Sequence, residues 1–219
     1  MELLLIRHAL PVRIDEGSVH GPADPHLADL GVQQAEALAE WLAGERVDAI
    51  WSSPMRRARE TAAPVAERLG LPVTIDPGLA EYDKDSASYI PIEELKAAND
   101  PRWNQLPERP EEFAAEVVAA IEGIVAAHPG QRVAVVCHGG VVNAYAGHVL
   151  GISEPLFFLP AYTSISRILA ARGGTRSIES LNEAGHIRHL PEARDEERGR
   201  SPRTDPSSVC PHSSGLPLF

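Results

Sequence analysis

Leu3-Leu4-Leu5-Ile6-Arg7-His8 is an unbroken apolar run that ends abruptly in charge. A strand with one wet face would alternate apolar and polar side chains, so a continuous run of this length reads as a strand covered on both faces, as in a parallel sheet. Arg7 and His8 then fall at its carboxyl end. Val133 to Cys137 repeats the pattern and is followed by His138-Gly139-Gly140.

Working outward, Gly31 to Leu42 places Ala35, Leu38, Ala39 and Leu42 at helical spacing, and Val47 to Trp51 gives a second short strand. Ser52-Ser53-Pro54 offers helix-start chemistry for a helix from Arg57 to Leu69, closed by Gly70. Val73 to Ile75 is a third short strand. The stretch from Asp76 to Pro110 is irregular, with several prolines and weak periodicity around Ile92 to Ala98, and reads as a loop-rich cap. Pro110 followed by Glu111 and Glu112 opens a helix to about His128, because proline fits a first helical position and acids complement the positive end of the dipole. A helix follows His138 as far as Gly151, and Ser164 to Ala171 with Thr175 to Leu181 reads as a closing hairpin around Gly173-Gly174.

Strands alternating with helices predict an α/β fold, a three-layer α/β/α sandwich with a mostly parallel central sheet. Ligands in such sheets bind beyond the strands' carboxyl ends, where His8 and His138 stand. We expect one folded domain over residues 1–190, with a cap-like insertion at about 80–110, and a poorly ordered tail over 191–219, where Ser, Pro, Arg and Asp dominate.

The chain has 219 residues, 43% of them hydrophobic and 23% charged, which is ordinary for a folded protein. The net charge is -11, and the tail beyond Leu190 is nearly balanced, with five acids against four arginines. The acidity therefore belongs to the domain, which argues against nucleic-acid partners. Any site for an anionic substrate must be built from a few local arginines and backbone amides. Two cysteines, Cys137 and Cys210, make neither a disulfide framework nor a metal cluster, so a reducing, cytoplasmic setting is expected. The first apolar run is too short for a signal peptide or a membrane span, and no membrane partner is expected.

Three segments carry chemistry. Arg7-His8 offers an imidazole nucleophile beside a guanidinium that can hold phosphate oxygens. Ser53 to Ala62 (SPMRRARETA) gathers arginines in the first turn of a helix, where cations are unfavourable unless an anion offsets them. His138-Gly139-Gly140 sets a second imidazole beside glycines that let amides approach an anion.

Taken together, LLLIRHA, DPHLADLGVQQAEALAEWL, WSSPMRRARETA, Leu79-Ala80-Glu81, VVCHGG and SLNEAGHIRHL resemble the histidine phosphatase superfamily, also called phosphoglycerate-mutase-like, from about Glu2 to Leu190. The resemblance implies that His8 is the phosphorylated nucleophile, and that Arg7, Arg57 and His138 are ligands of the phosphoryl oxygens. It implies Glu81 as proton donor and acceptor. Gly139 belongs to the phosphate-binding set. Arg57 is preferred over Arg56 and Arg59 because it directly precedes Ala58 in the family's pattern. Two guanidiniums and an imidazolium around equatorial oxygens supply the charge stabilisation that phosphoryl transfer needs, with no metal and no cofactor.

The chain departs from that pattern at Ala9, where glycine is usual, and at Ile14, where many members carry a phosphate-contacting asparagine. Ala28 replaces a threonine, and Tyr82-Asp83-Lys84 follows Glu81 in place of the usual glycine-tryptophan-glutamate-glycine. The expected activity is phosphomonoester hydrolysis on small phosphorylated metabolites. Alternatives are a cofactor-dependent phosphoglycerate mutase and a catalytically silent phosphate-binding member. A cysteine phosphatase would need an arginine six residues after Cys137, where Asn143 stands. A metallophosphatase would need His8, His20, His26 and His138 to gather. Assembly as a homodimer is left open.

Overall fold

The computed structural model describes residues 1–17, 20–104 and 109–190, so the expected tail at 191–219 lies outside the described residues. The apolar runs are strands: β1 (Glu2–Arg7), β2 (Ala49–Ser52), β3 (Val73–Ile75) and β4 (Arg132–Cys137). The hairpin is β5 (Ile165–Ala170) and β6 (Arg176–Glu183). The helices are α1 (Asp29–Leu42), α2 (Arg56–Leu69), α3 (Ile92–Ala97), α4 (Pro110–Ala127) and α5 (Gly139–Leu150). No described helix is long and apolar enough to cross a membrane.

The sheet order is β3-β2-β4-β1-β5-β6, parallel from β3 through β1 and antiparallel in the last two pairings. The continuous apolar runs explain the three layers. Leu3, Leu5, Val133, Val135 and Cys137 pack with Ile121, Val142 and Tyr145 of α4 and α5. Leu4, Ile6, Ala134 and Val136 face the other way, onto Leu38 and Leu42 of α1 and Ala58, Ala62 and Val65 of α2. Successive residues of each strand thus feed opposite cores, as side-chain alternation requires.

β1 and β4 are neighbours, and the helices that follow them, α1 and α5, leave for opposite faces. The two chains part at their carboxyl ends and leave a crevice between them, the topological switch point of the sheet. Arg7 pairs with Cys137 in register, so His8 and His138 are the first residues past the ladder on either side of that crevice.

Helix starts differ from the expected ones by a residue or two. α2 begins at Arg56, and its N-cap is Met55, which makes no side-chain capping bond. Ser53, read as start chemistry, accepts from the Met55 amide at 3.3 Å and also meets His138. α1 begins at Asp29 because its first turn lies against the loop after His8. A Cβ on Gly31 would sit 2.0 Å from the Leu10 carbonyl oxygen. The Leu10 amide donates to Gln34 Oε1 at 2.9 Å.

Candidate active site

His8 is positioned by backbone. Its amide donates to the Cys137 carbonyl at 2.8 Å, prolonging the β1–β4 ladder by one bond. The next amide, Ala9, donates to Thr61 Oγ1 at 2.9 Å, and that hydroxyl donates to the Arg57 carbonyl at 2.7 Å. The loop after β1 and the first turn of α2 are therefore one unit. His8 Nδ1 lies 2.8 Å from the Ala9 carbonyl, which can only accept, so Nδ1 carries the proton and the lone pair sits on Nε2. Burial, and then the charges of Arg57 and Arg7, lower the His8 pKa well below the ordinary value, which keeps the ring neutral and nucleophilic.

Arg7, His8, Arg57, Glu81 and Gly139 line one cavity of about 210 Å³ at the carboxyl ends of β1 and β4. His138 is fully buried beside it, its ring centroid 5.1 Å from that of His8 and its Nε2 2.7 Å from Ser53 Oγ. Burial first, then Arg57 and His8, lower the His138 pKa well below normal. The imidazolium expected there is thus a neutral ring before an anion arrives. A bound phosphate would reverse the sign of the neighbouring field and favour its proton.

Glu81 sits at the start of α5. Its Oε2 accepts from the Gly140 amide at 2.8 Å and its Oε1 from the Tyr82 amide at 3.1 Å. Only glycine leaves room for this carboxyl, since a Cβ at 140 would lie 2.3 Å from Oε1. Burial, reinforced by the charge of Asp83, raises the Glu81 pKa to about 7 against the pull of the two amides and Arg57. Near neutral pH it can both give and take a proton.

Arg7 and Arg57 are both held by acids of the cap. Arg57, only 1% exposed, donates from Nη2 to Asp83 Oδ1 at 2.8 Å and lies under the Tyr89 ring, 4.7 Å from its centroid. Arg7 donates from Nη1 to Glu93 Oε1 at 2.8 Å and to the Pro160 carbonyl, and stacks 3.9 Å from the Tyr162 ring centroid. The Tyr162 hydroxyl donates to the other Glu93 oxygen at 2.6 Å. After these bonds Arg7 Nε, Arg57 Nε, Arg57 Nη1 and His138 Nδ1 are buried with no hydrogen-bond partner among the described residues. Each such atom costs about 1–3 kcal/mol unless something accepts from it.

Other expected residues lie elsewhere. Arg56 pairs with Glu60 at the surface, and Arg59 is exposed. Ile14, in place of a phosphate-contacting asparagine, forms a two-residue bridge with Tyr89 and ties the loop after β1 to the cap. Cys137 is fully buried, and burial raises its thiol pKa far above normal, unlike a thiolate nucleophile. His26 lines a separate surface cavity, and no three described His, Cys, Asp or Glu residues gather as a metal site. Sequence reading missed Ser53 and Thr61, both inside the quoted SPMRRARETA stretch. It also missed Asp83, Tyr89, Glu93 and Tyr162, of which only Asp83 stands near a quoted motif.

The chain matches the histidine phosphatase superfamily (branch 1) over residues 3–184. It is 30% identical over 200 residues to a putative phosphoserine phosphatase 2 of Hydrogenobacter thermophilus, covering 86% of this chain and 98% of that one. It is 32% identical over 200 residues to a metal-independent phosphoserine phosphatase of Arabidopsis thaliana, covering 85% of this chain and 83% of the relative. Among solved structures, Bacillus stearothermophilus YhfR superposes with a TM-score of 0.67 at 26% identity, covering 85% of this chain and 98% of that one. The chain therefore belongs to branch 1 of the histidine phosphatase superfamily and, like these relatives, is a phosphatase.

Proposed function

We propose that this phosphatase works through a phosphohistidine on His8. The observation that carries the reading is a set of buried atoms left without protein partners around His8, the guanidinium donors of Arg7 and Arg57 and the Nδ1 of His138. A phosphoryl group supplies oxygens to all of them. His8 Nε2 attacks phosphorus, the bond to the ester oxygen breaks, and Glu81 gives that oxygen its proton. Glu81 then takes a proton from water, whose oxygen attacks the phosphohistidine and releases inorganic phosphate. The donors fixed around the equatorial oxygens stabilise charge in both steps without reorganising.

The substrates are small phosphorylated metabolites, as the names of the relatives support. Residues 1–190 form the catalytic unit, 80–110 its cap and 191–219 a dispensable tail. A reducing, cytoplasmic setting is supported by the buried free thiol of Cys137. Rapid quenching with a labelled phosphate ester should trap acid-labile label on the native protein and none on His8→Ala. Label that persisted in that variant would move the nucleophile elsewhere. Phosphate release should far outrun interconversion of phosphoglycerate isomers, and the opposite ratio, stimulated by a bisphosphoglycerate, would make the chain a mutase.

A further inference from the structure

A second, larger cavity adjoins the phosphate cavity across a shared wall. The first measures about 210 Å³ and the second about 840 Å³, at the upper end of the usual range for small-molecule sites. The two share Tyr82, Gly140, Asn143 and Leu156. The second runs between α4 and α5 under the loop after Leu150. Its walls are mainly apolar, with Phe113, Ala115 and Val118 from α4, Ala144 from α5, and Ile152 and Leu156 from the loop. Tyr82 meets Phe113 edge to face at its inner end.

Glu81 fixes which part of a substrate meets this groove. Its carboxyl lies on the Gly140 amide, and Gly140 belongs to the wall common to both cavities. The leaving oxygen must lie at the Glu81 carboxyl to receive its proton, so the carbon attached to that oxygen lies beside the wall that the groove shares. The cations around the phosphate point the same way. The cavity's described cations are Arg7, Arg57 and Arg102, and each already faces an acid, Glu93, Asp83 and Asp100 respectively. None is spare for a second anionic group on the substrate.

We propose that the groove between α4 and α5 is the leaving-group subsite, and that it selects phosphomonoesters whose alcohol carries an apolar alkyl or aryl body over phosphorylated carboxylic acids. The inference rests on the phosphatase reading above for the placement of the leaving oxygen. Each methylene buried in the groove raises affinity severalfold by leaving water.

Ethyl and hexyl phosphate test it, because the two alcohols depart with nearly equal chemical difficulty and differ only in apolar length. Hexyl phosphate should have a kcat/KM at least about tenfold higher, the difference residing in KM, and O-phosphoserine should rank with ethyl phosphate. Ala144→Phe fills the groove from α5 and should remove the hexyl advantage while sparing ethyl phosphate. Ala115→Trp, at an exposed position on α4, does the same from the opposite wall should the first variant misfold. Equal kcat/KM for the two esters in the native enzyme would overturn the subsite and leave the phosphatase reading intact. If no ester is turned over, calorimetry with hexyl- and ethylphosphonate decides. Tighter hexyl binding that Ala115→Trp abolishes would support the groove and sink the phosphatase reading, and equal binding would sink the groove. Should Ala115→Trp change the sedimentation of the native protein but leave the hexyl preference whole, the groove is an interface between copies, and the proposal fails.

Discussion

His8 and His138 stand on backbone, the first residues beyond a parallel ladder whose strands are buried on both faces. The segment from Ala80 to Asn104 reaches the same cavity in another way. It contains one short helix and, at Pro101–Asn104, one short 3-10 turn, and it holds the floor through Asp83 on Arg57 and Glu93 on Arg7. The floor thus depends on close packing, and the cap on charge. The acids that hold the cap occupy guanidinium nitrogens next to unpartnered ones, so on the proposed function cap and substrate draw on the same two arginines. A dianionic phosphoryl group adds acceptors to those arginines without needing the cap to leave.

The sharpest break of this comparison is at the residue common to both regions. Arg57→Ala removes two unpartnered donors from the phosphate and one anchor from the cap, and should lower kcat by on the order of a hundredfold or more. Near-normal turnover of an aryl phosphate would remove Arg57 from the transition state. Next, the floor should fail by packing alone. In Gly31→Ala the new Cβ meets the Leu10 carbonyl, a backbone atom that cannot swing aside, and stability should fall by about 3 kcal/mol in urea titrations. Lys84→Ala in the cap, whose ammonium is exposed, should stay within about 0.5 kcal/mol of native. Similar losses from both would erase the distinction.

The floor was legible in the sequence for a physical reason. Each of its parts is local, an apolar run ending in Arg7-His8, another ending in His138-Gly139, and a helix start crowded with arginines. The hairpin was equally plain from Gly173-Gly174, although the positive φ falls on Gly174 alone. The cap was not legible, because its meaning lies in pairs far apart in the chain. Asp83 and Arg57 are 26 residues apart, and Glu93 and Arg7 are 86 apart. By charge alone, Asp83 and Glu93 cannot be told from an exposed acid of the cap such as Asp85. In the structure they turn inward and neutralise the arginines. Tyr162, stacked on Arg7, gave no signal at all, since an isolated tyrosine after a proline-containing loop has no pattern to read.

Glu81 lies at the join, and its proton tests whether charge in the cap governs chemistry on the floor. Its pKa is raised to about 7, first by burial and then by Asp83, so kcat/KM for an alkyl phosphate should fall as pH rises through about 7, where the acid form is lost. Asp83→Asn removes the neighbouring negative charge, and the falling limb should move to lower pH. Glu93→Gln, which acts on Arg7, should leave the limb in place. An aryl phosphate, whose leaving oxygen hardly needs a proton, should lack the limb in every variant. A limb that stays put in Asp83→Asn would show that burial alone sets the Glu81 proton. Glu81→Gln should cost alkyl esters about tenfold or more and aryl esters much less, and equal losses would deny Glu81 its acid role.

The smallest expected effect asks whether the floor is already as well tied as its packing implies. Of α1, α2 and α5, two borrow carboxylates from elsewhere in the chain: Asp24 Oδ1 accepts from the Arg56 amide at the start of α2, and Glu81 Oε2 from the Gly140 amide at the start of α5. α1 has no such help. Its N-cap is Ala28, in extended geometry that suits a capping serine or threonine, with no side-chain bond to the first turn. Ala28→Ser should place a hydroxyl within reach of the Leu30 or Gly31 amide and add about 1 kcal/mol of stability. For a domain of this size that raises Tm by about 2–4 °C, with kcat and KM unchanged, because Ala28 lines neither cavity. If calorimetry finds no gain, the α1 amides are already satisfied by the Leu10 loop that Gly31 lets so close, and the floor would be held there by backbone contact alone.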